Sequence, residues 1–151
     1  MPDSLPSAKK LVWPFVLIAF VSLVGLGDAI YLTVQDLTGQ NLRCTIISGC
    51  SEVLGSKYAH IGSIPLATVG ALAYFGVFSL AILALFGYSF VRPLLIVLVV
   101  LMFLTTLWLL YLQAFVIHHF CQYCLLSAAV TTVLTAITFA TGVARRNPAG
   151  R

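Results

Sequence analysis

Four cysteines, Cys44, Cys50, Cys121 and Cys124, are the residues of this chain best suited to redox chemistry, and they form two unequal pairs. Cys121 and Cys124 make a Cys-x-x-Cys within "VIHHFCQYCLLSAAV", at the seam between two apolar runs. At the start of a helix this spacing puts both sulfurs on one face. The free N–H groups and the dipole at that helix end stabilise a thiolate. Such a pair cycles between dithiol and disulfide at little strain, and it closes too short a loop to be useful as a staple. Cys44 and Cys50 instead lie in the polar stretch "RCTIISGCSEV", which can flex and present a disulfide to a visiting protein. Thiol–disulfide exchange would carry electrons from the loop pair to the helix pair. The helix pair borders hydrocarbon, where a lipid-dissolved oxidant can reach it.

Two other chemistries fit these residues less well. His118, His119, Cys121 and Cys124 are a conceivable zinc set, but adjacent histidines do not easily turn to one ion together with both sulfurs. No metal is expected, and the histidines read as interfacial residues that end a helix. Haem attachment fails because Leu125, not His, follows the second cysteine.

The elements that must position the sulfurs follow from composition. The 151 residues are 61% hydrophobic and only 8% charged, more apolar surface than a soluble domain of this size can hide. A spanning helix needs about 20 apolar residues. Four stretches qualify: Leu11 to about Leu32, Ile64 to Tyr88, Pro93 to Ile117 and Gln122 to Val143. The runs are continuous rather than alternating, so the expected fold is an all-α, four-helix membrane bundle and not a barrel. Pro14, Pro65 and Pro93 are expected near helix starts. The long connection, about residues 35–63, carries Cys44 and Cys50, between short tails at 1–10 and 145–151. The first run is too long for a signal peptide and lacks a clear cleavage site.

Lys and Arg set the expected orientation. With the N-terminus inside, Lys9, Lys10, Arg92, Arg145, Arg146 and Arg151 are cytoplasmic, and only Arg43 and Lys57 fall outside. The net charge of +4 thus reads as topology and not as a nucleic-acid footprint. The same topology places all four cysteines on the outer face of the cytoplasmic membrane, in a compartment where disulfides persist.

The ordered set "GDAIYLT", Cys44-x5-Cys50, "CSEVLGSKYAHIGSIPLATVG" and "FCQYCLLSA" resembles the vitamin K epoxide reductase family, in particular its bacterial and archaeal members, over about Gly25 to Ala129. The resemblance implies a four-helix bundle around a quinone pocket, the acceptor being menaquinone, ubiquinone or a similar species. It implies that Cys124 faces and reduces the quinone, that Cys121 exchanges with Cys50, and that Cys44 meets the partner. Ser56, six residues after Cys50, stands at the family's Ser/Thr position and would hydrogen-bond near the active site; as a sequence feature it equally fits an ordinary cap or turn serine. The implied partner is a separate, secreted thioredoxin-fold protein of the DsbA type, since some bacterial members carry a fused thioredoxin-like domain and this chain ends at "RRNPAGR". Animal members place a tyrosine associated with vitamin K binding where this chain has Ala128. Disulfide formation in exported proteins is therefore the expected role, with vitamin K epoxide or quinone reduction as one alternative. A non-enzymatic protein with two structural disulfides is the other.

Several residues are open on sequence alone. Asp28, the only carboxylate inside a span, is either a site residue or a helix-end residue close to water. Asp36 and Glu52 read as solvated loop charges, Trp13 as an interface anchor and Trp108 as core packing. Tyr31, Tyr58, Tyr111 and Tyr123 read mostly as interface-belt residues, with room for one in the quinone site. Gly70, Ala71 and Gly76 either let helices approach or leave space for a flat ring.

Overall fold

A computed structural model describes residues 4–39, 44 and 49–140 of the chain; Arg43, Arg145, Arg146 and Arg151 of the charge pattern, and the tail 145–151, lie outside them. The elements run α1 (Ser4–Leu37), a short α2 (Cys50–Leu54), a 3-10 turn (Lys57–Ala59), a hairpin of β1 (His60–Ile61) and β2 (Ile64–Pro65), α3 (Leu66–Leu85), α4 (Val91–Tyr111), a π-helical segment (Leu112–Ile117) and α5 (Gln122–Ala140). The stretches Val12–Leu37, Leu66–Leu85, Val91–Ile117 and Gln122–Ala140 are each long and apolar enough to cross a membrane. The protein is thus an all-α, multi-pass membrane bundle, and bulky apolar side chains such as Phe20, Leu72, Phe75 and Leu101 point outward where lipid would meet them.

The first helix is longer than hydropathy indicates. It begins at Ser4 rather than Leu11 and runs on to Leu37, because nothing in "DAIYLTVQDL" breaks it before Gly39. That glycine adopts φ +64°, the left-handed conformation that closes helices and suits a residue without Cβ. Pro14 consequently lies inside α1, not at its start; membrane helices tolerate such a position when neighbours re-satisfy the freed carbonyl. Pro65 caps α3 and Pro93 sits in the first turn of α4, where a missing N–H costs least. Trp108 is 59% exposed and stacks on Tyr111, with ring centroids 5.9 Å apart. It faces the lipid side and is not a core residue, because the inward face of α4 is taken by Val91, Leu95 and Val99.

The two halves of the bundle differ. In the half remote from the cysteines, Phe15, Ile18, Val77, Ala81, Leu95, Val99 and Leu134 pack into a continuous core. Buried hydroxyls there close locally: Ser22 donates to the Ala19 carbonyl and Thr138 to the Leu134 carbonyl, so neither hydroxyl is left unpaired among apolar side chains. Tyr74 marks the boundary between the halves. Its ring lies directly on Gly25 of α1, where any Cβ would collide with it. Its hydroxyl crosses to α5 and shares hydrogen bonds with Ser127 Oγ at 2.7 Å and Thr131 Oγ1 at 3.0 Å. Beyond Tyr74 the helices enclose a cavity instead of a core.

Candidate functional site

The connection after α1 folds back over the open end of the bundle. His60 Nε2 lies 3.0 Å from Asp36 Oδ2, which fixes the β-hairpin to the end of α1. Asp36 is therefore a partnered residue at the cavity rim and not a free loop charge. Between hairpin and disulfide, α2 is held down at Gly49. The Gly49 φ of −124° is open to any residue. What requires glycine there is space, since an added Cβ would stand 3.0 Å from Phe120 N, 3.1 Å from Phe120 C and closer still to the carbonyl oxygen. This backbone-on-backbone approach places the residue after Gly49 beside the residue after Phe120. Those residues are Cys50 and Cys121.

Cys44 and Cys50 form a disulfide, with Cα atoms 6.0 Å apart, whereas Cys121 and Cys124 are free thiols. Cys50 and Cys121 are 1% and 0% exposed and share one cluster with Val53, against which Cys44 and Cys124 also pack. All four sulfur-bearing residues singled out in the sequence thus converge at one end of the bundle.

Cys121 immediately precedes α5, and its carbonyl accepts the Leu125 N–H at 3.0 Å. Its own N–H donates to Gln113 Oε1 at 3.0 Å. Gln113 sits in the π-helical segment that ends α4, and that local widening turns its amide inward, 3% exposed. The segment stops at His118, whose φ of 58° is left-handed. His118 and His119 are both exposed. Three groups converge on the Cys121 sulfur: the Cys124 thiol, which contributes most, and the backbone N–H groups of Cys124 and Tyr123. Together they outweigh burial, which works the other way, and bring the Cys121 pKa from an ordinary thiol value of 9.0 down to about 7. The two backbone N–H groups are the helix N-terminal contribution, and the neighbouring thiol adds the larger part.

Cys124 faces the other way, onto a cavity of about 140 Å³. Its walls include Asp28, Gly70, Tyr74, Ser127 and Ala128. Cys121 is not part of that wall, so the sulfurs lie in the order loop disulfide, Cys121, Cys124, cavity. An apolar cavity of about 150 Å³ takes up a benzene-sized ring, so this space is of the size of one flat ring. Gly70, with Ala29 Cβ 4.0 Å from where a Cβ would be, contributes both to the α1–α3 contact and to the room left for a ring. Of the four outer tyrosines, Tyr58 lines the cavity, while Tyr31 and Tyr123 pack together with ring centroids 5.4 Å apart. Ser56 lines it too, with its hydroxyl donating to the Val53 carbonyl at 2.7 Å at the end of α2.

Three residues of the site carry no signal in the sequence. Gln113 and Gly49 act through contacts made across the fold. Tyr74 is one aromatic among many in a greasy helix, and its polar partners are 53 residues or more away.

A sequence model of the vitamin K epoxide reductase family matches residues 16–139, which takes in nearly all of the four spans, both cysteine pairs and the cavity. The chain belongs to the vitamin K epoxide reductase family, a family of oxidoreductases whose chemistry links thiols and quinones.

Proposed function

We propose that the protein is a quinone-dependent thiol oxidase of the cytoplasmic membrane that reoxidises a separate, secreted, DsbA-like thioredoxin-fold partner and so drives disulfide formation in exported proteins. The observation that carries this reading is the order of sulfurs, from a disulfide at the bundle end, through a buried thiol, to a thiol on a ring-sized cavity. The Lys and Arg distribution supports an orientation with the termini in the cytoplasm and the cysteines outside.

A reduced partner attacks Cys44, and the Cys44–Cys50 bond opens with Cys50 as leaving thiolate. Cys50 attacks Cys121 of the oxidised helix pair, and Cys124 is freed on the cavity wall. The partner's second thiol attacks its bond to Cys44 and the partner leaves as a disulfide, which frees Cys44 as a thiolate; Cys44 then attacks Cys50 in the Cys50–Cys121 bond, restoring the loop disulfide and leaving the helix pair as a dithiol. Tyr74, Ser127, Ala128 and Gly70 would hold the quinone against Cys124. A bound quinone supplies a two-electron, two-proton acceptor, chemistry that the side chains lack. Cys121 is the residue prepared to close the helix disulfide again, because it is the pair's thiolate near neutral pH. Ser56 shapes the rim and holds the end of α2 in place.

Purified protein should oxidise a reduced thioredoxin-fold protein only when a quinone is supplied, and Cys124→Ala should abolish turnover. Full turnover by Cys124→Ala would refute the mechanism. Vitamin K epoxide reduction is a second reading; Ala128 on the cavity wall, where animal members have tyrosine, weighs against it, and a direct epoxide assay decides it.

A further inference from the structure

We infer that Asp28 is a proton-donating residue of the cavity, its carboxyl hydrogen-bonding a carbonyl oxygen of the bound quinone and passing a proton to it as the helix cysteines are oxidised. This rests on the reading that a quinone occupies the cavity. Asp28 is 9% exposed, lines the same cavity as Cys124, and has a buried Oδ2 with no hydrogen-bond partner among the described residues.

Most of the other polar side chains on the cavity wall are committed elsewhere. Asp36 is paired with His60, Gln113 with the Cys121 N–H, and Ser56 with the Val53 carbonyl. Tyr74, Ser127 and Thr131 are bonded to one another. Asp28 stands apart from these as a buried carboxyl inside a span with an oxygen left unused. Buried polar atoms in native proteins are nearly always satisfied, and an intramembrane carboxyl marks a functional site by default. The partner it lacks must come from what enters the cavity. No cation pairs with Asp28 among the described residues. An unpaired carboxylate in apolar surroundings is far more costly than the neutral acid. The neutral acid is both a hydrogen-bond donor for a carbonyl and a proton source, so ligand and wall are complementary.

The protons and electrons balance. Near neutral pH the reduced pair is a Cys121 thiolate and a Cys124 thiol. Forming the Cys121–Cys124 bond releases two electrons and the Cys124 proton. Reduction of a quinone to a quinol consumes two electrons and two protons. Asp28 gives its proton to the oxygen it contacts and is reprotonated by the proton from Cys124. The second oxygen takes one proton from water. Asp28 ends the cycle as it began.

The test uses the full chain in lipid nanodiscs, dithiothreitol as thiol source and 2-methyl-1,4-naphthoquinone as probe. Infrared difference spectra on adding the probe to the wild-type protein should show a carboxylic acid C=O band moving to lower frequency, and Asp28→Asn should lose that band. Asp28→Asn keeps a hydrogen-bond donor of the same shape, so probe binding should persist while kcat falls about 100-fold, the usual loss on removing a general acid. Asp28→Leu should weaken probe binding as well. A wild-type spectrum without a carboxylic acid change, or Asp28→Asn at the wild-type kcat, would overturn the proposal. If Asp28→Leu does not fold, the isosteric Asp28→Asn still decides. A wild-type protein that fails to reduce the probe at all defeats the proposed function itself. Wild-type turnover matched by both variants defeats only the role of Asp28.

Discussion

Replacing Gly49 with alanine should separate the two cysteine pairs without touching a sulfur. The added methyl group would sit 3.0–3.1 Å from Phe120 N and C and closer to its oxygen, whereas ordinary van der Waals contact begins at 3.4 Å. Backbone cannot rotate away as a flexible side chain can. The two segments must therefore part by several tenths of an ångström at the nitrogen and carbon, and by more at the oxygen. Cys50 follows Gly49 directly and Cys121 follows Phe120 directly, so the gap is transmitted to the sulfurs. A misplacement of about 1 Å at reacting atoms costs about 100-fold in rate, and overpacking costs about 1–3 kcal/mol in stability. Gly49→Ala should slow loop-to-helix exchange by roughly 10- to 100-fold. Rapid mixing with a reduced thioredoxin-fold protein, quenched in acid and followed by differential alkylation of the helix pair, reads this step. Reoxidation of a chemically reduced helix pair by added quinone should change much less. Exchange at the wild-type rate in a folded Gly49→Ala protein would refute the claim that this contact sets the approach of Cys50.

Gln113→Leu keeps most of the side-chain volume but orphans the buried Cys121 N–H, and should lower stability by about 1–3 kcal/mol, seen as a lower unfolding midpoint in detergent. The reduced helix pair should also titrate in a telling direction. The Cys121 pKa lies below the ordinary thiol value, at about 7, so the thiolate is present above pH 7 and is lost as pH falls through it. In a variant lacking Cys44 and Cys50, ultraviolet thiolate absorbance should show this midpoint. Cys124→Ala should move it up by removing the main stabilising hydrogen bond. Closure of the helix disulfide should slow with the thiolate fraction below pH 7.

Sequence carried the spans and the sulfurs because both are local signals: continuous apolar runs, and cysteines whose spacing is itself chemistry. It placed Cys121 and Cys124 at the start of the last helix, where they lie. It missed the ends of α1 because hydropathy fades at Leu32 while helical backbone continues to a residue able to adopt the left-handed form, Gly39. Trp108 looked like core because a tryptophan in an apolar helix gives no sign of which face it occupies. Asp28 was open for the same reason, since depth along the helix does not reveal whether a side chain meets water or a cavity wall. Gln113, Gly49 and Tyr74 work through partners on other elements, at Cys121, Phe120 and Ser127, and no local pattern marks such contacts.

The relay from loop to helix is tested most directly in a protein that retains only Cys50 and Cys121, with Cys44 and Cys124 both replaced by alanine. Under mild oxidation these two sulfurs should join within one chain at a rate independent of protein concentration, and mass spectrometry of the digested protein should recover the Cys50-containing peptide linked to the Cys121-containing peptide. Two freely alkylated thiols, or a crosslink that forms only between chains, would contradict the account.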